Sequence, residues 1–218
     1  MLIEMPKVAD MLAALQKRLE SGNAKNLYDQ FLALKDSVEE WKFSSGDYFS
    51  CLPYEEQRQG FSAPKLLKKR YESIDEARWL GKYSAGFHDG KHVVTVMPGQ
   101  RTIRALSADL YSENDGVVEI YSATYKGIDH PGKVTSRVTA IARMEPLDEL
   151  RDVYAAVGEG GAFSAYLYTY SAERKPLSAV AFSKGWTGES QWNFYYDSTG
   201  ELERITSGPA ILWARPRT

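Results

Sequence analysis

Three histidines, one cysteine and a few neighbouring carboxylates are the residues of this chain that could do chemistry. His88-Asp89-Gly90-Lys91-His92 invites a metal reading, with Asp129-His130 as further donors. His88 and His92 straddle a predicted turn rather than sharing one helical face, and no H-E-x-x-H occurs. Surface turn histidines with no bound metal are the expectation. Cys51 stands among Tyr48, Phe49 and Tyr54, with no adjacent histidine to activate it. That context predicts a buried or inert thiol. Glu39-Glu40 and Glu55-Glu56 read as solvated faces rather than a poised acid and base. Gly158-x-Gly160-Gly161 has the composition of a phosphate cradle, but it follows a predicted helix instead of opening one. A helix C-cap and a tight turn account for it. No G-x-S-x-G elbow is present. The sequence therefore predicts no catalytic residue and no cofactor, although a site assembled from distant strands would carry no motif.

The elements that would position any site are mostly strands. Short polar turns recur at Phe87–His92, Ser112–Val117, Ser171–Pro176 and Asp197–Glu201, each between β-branched and aromatic residues. Asp-Gly supplies the positive φ of a tight hairpin, so a meander is predicted. Strands are placed near 79–87, 92–97, 102–111, 117–125, 133–143, 163–170, 177–183, 190–196, 201–206 and 210–214. A helix is predicted over 147–157, behind Pro146, with Leu147, Leu150, Val153, Tyr154 and Val157 inward. At the N-terminus, Val8, Met11, Leu12, Leu15 and Leu19 form one stripe of a helix over 6–20, ended by Ser21-Gly22-Asn23. Leu27, Phe31, Leu34, Val38 and Trp41 form an a/d seam over 24–42. These two helices are expected to make a hairpin packed on the sheet. Residues 43–61 read as a loop with one short strand near Tyr48–Leu52. A third helix is predicted after Ser62, bearing Leu66, Leu67, Tyr71 and Ile74, with Lys65, Lys68, Lys69 and Arg70 on a solvated face.

Alternation assigns faces. Phe163, Ala165, Leu167 and Thr169 share one side of their strand, and Tyr166, Tyr168 and Tyr170 share the other. Trp192, Phe194 and Tyr196 lie opposite Gln191, Asn193 and Tyr195. One aromatic face is either a second core layer or a partner surface. The candidate partner-binding residues are Tyr166, Tyr168, Tyr170 and Trp192.

Composition narrows the classes. The 218 residues fit one domain over 1–218, with a helical hairpin at 1–42 and a β-rich body at 79–214. A net charge of −2 argues against a nucleic-acid partner. A lone cysteine forms no intramolecular disulfide and suits a reducing compartment. Met1–Pro6 does not read as a signal peptide, and no run of about 18 apolar residues predicts a membrane span. A cytoplasmic protein is expected.

The segment Trp192-Asn193-Phe194-Tyr195-Tyr196-Asp197-Ser198-Thr199-Gly200-Glu201-Leu202-Glu203-Arg204-Ile205 carries an aromatic-Tyr-Asp pattern, a two-residue spacer, Gly and an aliphatic strand. It resembles the tyrosine-aspartate repeat of bacterial Rhs-type proteins, once, over about 14 residues. The resemblance implies a bacterial chain from the surroundings of polymorphic toxins, whose immunity proteins are small cytoplasmic α+β domains without catalytic motifs. The expected fold is α+β, an antiparallel meander in one large or two packed sheets, or a half-barrel. The expected function is an immunity protein that occludes the active site of a cognate protein toxin. A small-ligand carrier with a sheet-lined aromatic cavity and an enzyme with a dispersed site are the alternatives.

Overall fold

A computed structural model describes residues 1–22, 27–100, 105–130 and 132–216. One antiparallel sheet of twelve strands dominates it, and the strands lie in the order in which the chain makes them. They are β1 (Glu40–Ser44), β2 (Tyr83–His88), β3 (Lys91–Val96), β4 (Ala105–Asn114), β5 (Val117–Lys126), β6 (Thr135–Asp148), β7 (Arg151–Gly158), β8 (Ala162–Tyr170), β9 (Pro176–Ser183), β10 (Ser190–Tyr196), β11 (Leu202–Ser207) and β12 (Ala210–Ala214). The helices are α1 (Pro6–Gly22), α2 (Tyr28–Ser37), α3 (Glu55–Arg58) and α4 (Ile74–Trp79). The fold is thus α+β with a single open sheet. Two of the expected turns have the backbone that Asp-Gly favours: Asp89 and Gly90 at φ 48° and 71°, Asp115 and Gly116 at φ 49° and 76°.

Each face of the sheet carries its own core. On one face α1 lies across β6 and β7, and α2 across β3. The predicted stripe and seam supply this core: Val8, Met11, Leu15, Leu19, Leu27 and Phe31 are buried against Val94, Leu110, Tyr125, Ile141 and Val153. Phe31 stacks on Tyr125 with centroids 5.0 Å apart. On the other face, residues 45–64 with α3 cover Tyr168, Tyr170, Ala179, Trp192, Phe194 and Ile205 through Leu52 and Tyr54. Cys51 joins this core to a smaller one of Tyr111, Ile120 and Ala142.

Five sequence expectations are corrected. Residues 147–157 are not a helix: β6 runs to Asp148 and β7 follows at once. Val153, Ala155 and Val157 point at α1 while Tyr154 and Ala156 face the opposite core. Gly158–Gly161 is therefore a strand-to-strand turn with one 3-10 turn at Glu159–Gly161, not a helix cap. Residues 62–73 form no helix; Leu66 bridges Ser44, and α4 begins only at Ile74. The second helix stops at Ser37, and Trp41 sits in β1 although it reaches the same core. No strand forms at Tyr48–Leu52; residues 54–58 turn into α3 instead. The expected start of the second helix at 24–26, Asn23 of the first stop, and 102–104 of the third predicted strand lie outside the described residues.

The two ends of the sheet differ. The outer edge of β1 is covered by the chain itself: Leu67 N–H donates to Phe43 O at 2.8 Å, and Ser45 N–H to Lys65 O at 3.0 Å. β12 ends the sheet on the other side, paired to β11 alone.

Candidate functional site

The alternation of β4 sends Leu106, Ala108 and Leu110 to the helix-covered core and Asp109 and Tyr111 to the other face. There they meet the loop before α3. A cavity of about 190 Å³ lies between, walled by Asp47, Ser50, Cys51 and Glu55 from the loop and by Asp109, Tyr111, Ser122 and Tyr154 from the sheet. Gly46 sets the approach of the loop. A Cβ there would stand 2.1 Å from Glu56 Oε1, which accepts the Asp47 N–H at 2.7 Å. Glu55 accepts the Ser50 hydroxyl at 2.8 Å. The Glu55-Glu56 pair is thus half-buried beside this cavity and not the solvated face its sequence predicted.

The electrostatics are one-sided. Burial pushes Asp109 up to about 6, opposed by the Ser122 hydroxyl and reinforced by Glu55. Burial pushes Asp47 up to about 7, with Asp109, Glu55 and Glu56 adding repulsion. Asp109 is 9% exposed, and its Oδ1 has no hydrogen-bond partner. Burial also raises the Cys51 thiol far above its usual range, which makes it a poor nucleophile, in line with its sequence context.

Tyr166, Tyr168, Tyr170 and Trp192 are brought together, but beneath the 45–64 layer. Tyr168 is 0% and Trp192 8% exposed, and Tyr170 is buried. The rings stack in a row, Tyr166–Tyr168 at 6.3 Å, Tyr168–Tyr170 at 6.1 Å and Tyr166–Trp192 at 6.2 Å. The Arg58 guanidinium lies over Tyr166, Trp192 and Tyr168 at 4.8, 5.1 and 5.7 Å. Tyr168 Oη donates to Pro53 O at 3.3 Å. A partner approaching this face meets the 45–64 layer before it meets these rings.

Among the described residues, no three His, Cys, Asp or Glu side chains assemble as a metal site would require. His88 lies at the end of β2, half-exposed, near Glu39 and Asp89. His92 is not the surface turn residue its sequence predicted. Its ring packs on Tyr111 at 4.0 Å and on Phe87 at 5.3 Å, and burial lowers its pKa to about 4. The basic run Lys68, Lys69 and Arg70 does not lie on a helix. It borders a groove of about 700 Å³ with Trp41, Phe43 and Tyr71. Glu39, Glu40 and Glu72 line the same groove, so its charge is mixed.

Asp47, Glu55 and Asp109 were not singled out as a site by sequence. The one signal was Asp109, a lone acid in a strand otherwise apolar or neutral through Tyr111. No family model, curated protein or solved structure matches this chain. No described helix is long and apolar enough to cross a membrane.

Proposed function

We propose that this chain is a bacterial, cytoplasmic immunity protein that binds a cognate toxin and occludes its active site. The observation that carries the reading is the contrast between the two sheet edges. The chain hydrogen-bonds to the outer edge of β1, whereas β12, which α3 touches and Gly60 approaches at the Leu212 carbonyl, carries the run Ala-Ile-Leu-Trp-Ala with no charge until Arg215. Natural sheets protect such edges with charge, proline or a covering segment, because an apolar edge recruits another chain. Ile211 is 63% exposed, and so is Phe61 at 60%, on the loop whose Gly60 comes against the Leu212 carbonyl. Trp186, beside Trp192, and Tyr195, beneath Arg204 on the other face of β10, are exposed aromatics, the type of residue that anchors protein interfaces. The hairpin that resembles a tyrosine-aspartate repeat borders this edge. Arg215, just beyond β12, donates to Asp197 at 2.8 Å and to the Leu202 carbonyl at 3.0 Å. In this reading a toxin segment adds to β12 as a further strand, with backbone hydrogen bonds giving affinity and apolar pockets giving selectivity. Tyr166, Tyr168, Tyr170 and Trp192 hold β8–β10 rigid behind that edge.

A carrier with an aromatic cavity is less well supported, because the four rings pack on one another and on Arg58. The immunity reading is tested by co-expression with a toxin encoded beside this chain. Growth is expected to be restored by wild-type protein. Unrelieved toxicity, with the protein soluble and folded, would refute it.

A further inference from the structure

The cavity under residues 47–56 has a composition that asks for a ligand. Four carboxylates gather at the loop: Asp47, Glu55 and Asp109 on its wall and Glu56 behind Asp47. Among the described residues, none of the four makes an ion pair. Asp109 is buried and its Oδ1 is without a donor, a costly arrangement unless something donates to it. The void holding that oxygen, about 190 Å³, is much larger than a bare ion. The described donors also do not cluster tightly enough for a metal. Its other walls include Tyr111 and Tyr154, a residue type whose ring face attracts cations, beside Ile120, Ala140, Ala142 and Ala156. A second hollow of about 410 Å³ shares Asp47, Ser50, Leu52 and Glu55 as lining and extends to the exposed Tyr48.

We propose that this cavity binds an organic cation, a guanidinium or a primary ammonium group. Several N–H donors on one small cation reach carboxylates too far apart to share a metal, and charge-assisted hydrogen bonds to Asp109 satisfy the free Oδ1. The inference stands apart from the toxin reading. The cation can belong to a free small molecule or to an arginine or lysine side chain of another protein, and the experiment separates the two.

Binding depends on pH through groups that can be named. Asp47, Cys51 and Glu55 face Asp109 from the loop side, with Glu56 behind Asp47; Tyr111 and Ser122 face it from the sheet, with Tyr83, Tyr125 and Tyr154 beyond. His92 behind Tyr111 stays neutral above its lowered pKa of about 4. The phenols and the thiol are uncharged near neutrality, so only carboxylates change charge between pH 5 and 8. Affinity for a cation therefore rises over that range as Asp109 and then Asp47 lose their protons.

The test is a calorimetric titration of the intact chain at low salt with methylguanidinium and, separately, propylammonium. N-Methylurea serves as the neutral analogue. The expected result at pH 8 is saturable one-to-one binding of at least one cation, with a dissociation constant on the order of 1 mM for so small a ligand. Binding should weaken at least about tenfold at pH 5 and in Asp109→Asn, a loss of about 1.4 kcal/mol. Asp47→Asn should weaken it as well, which guards against a folding defect in one variant, and near-ultraviolet circular dichroism checks both folds. Tighter binding of acetyl-Gly-Arg-Gly-amide than of methylguanidinium assigns the cation to a protein side chain; equal or weaker binding assigns it to a free small molecule. Saturation by methylurea, or undiminished binding in both folded variants, overturns the proposal, as does the absence of saturable cation binding.

Discussion

Truncating Tyr168 to alanine should unfold much of the protein's margin of stability. The ring is fully buried and touches Tyr166, Tyr170, Phe194 and Arg58 at centroid distances of 6.3, 6.1, 6.4 and 5.7 Å. Removing a buried aromatic ring costs about 3–5 kcal/mol when the surroundings relax only partly. Collapse is hindered here, because the neighbouring rings stack in a fixed row between β8 and the 45–64 layer. At about 2–4 °C per kcal/mol for a chain of this size, the thermal midpoint should fall by roughly 6–20 °C. Tyr168→Phe isolates the hydroxyl. It leaves the stack and removes only the 3.3 Å bond to the Pro53 carbonyl, a loss of about 0.5–1.5 kcal/mol. Urea denaturation of both variants measures the two numbers, and an unchanged slope with urea shows that the same surface unfolds. A cost below about 1 kcal/mol for Tyr168→Ala would mean that the 45–64 layer does not bury this ring, and the second core would be wrong.

Other outcomes follow from the same geometry. Phe31→Ala should cost about 3–4 kcal/mol, since Phe31 is buried against Tyr125, whereas half-buried Leu34→Ala should cost about 1–2 kcal/mol; equal costs in urea titrations would contradict the packing of α2. Gly46→Ala should destabilise by about 1–3 kcal/mol by displacing the Glu56 carboxylate from the Asp47 N–H, read as a lower midpoint than that of Gly90→Ala corrected for its turn strain. Asp109 has a folded pKa raised above its unfolded value, so its favourable contribution is complete below about pH 4 and is lost as pH rises through about 6. Stability of the unliganded chain should therefore fall by on the order of 2–3 kcal/mol between pH 4 and pH 8 from this group. Asp109→Asn should flatten that slope, and a slope identical in the variant would refute the assignment.

The sequence made the meander legible because hairpin turns carry local chemistry. Asp89-Gly90 and Asp115-Gly116 take the left-handed backbone their types favour, and the faces of β8 and β10 follow from strict alternation. Residues 147–157 carry a helical signature in sequence because Leu147, Leu150, Val153, Tyr154 and Val157 satisfy a helical period, while a strand buried on both faces loses its alternation. Trp41 extended the α2 seam by accident of spacing. The chain turns at Val38 and β1 then returns Trp41 to the same core. The acidic cavity was beyond any local pattern. Asp47 and Asp109 meet only because residues 45–64 fold back over the sheet, and nothing in 45–64 is periodic enough to announce that contact.

We propose that a protein partner adds at the terminal strand β12, and Ile211→Lys tests it most directly. Ile211 is 63% exposed, so the substitution should leave the thermal midpoint within about 1–2 °C while placing on the edge the charge that natural edges use to repel other strands. Titration with a purified candidate toxin should show one-to-one binding to the wild type and an affinity lower by at least about thirtyfold, about 2 kcal/mol, for the variant. Equal affinities for the two proteins, or no binding by the wild type, would contradict the account.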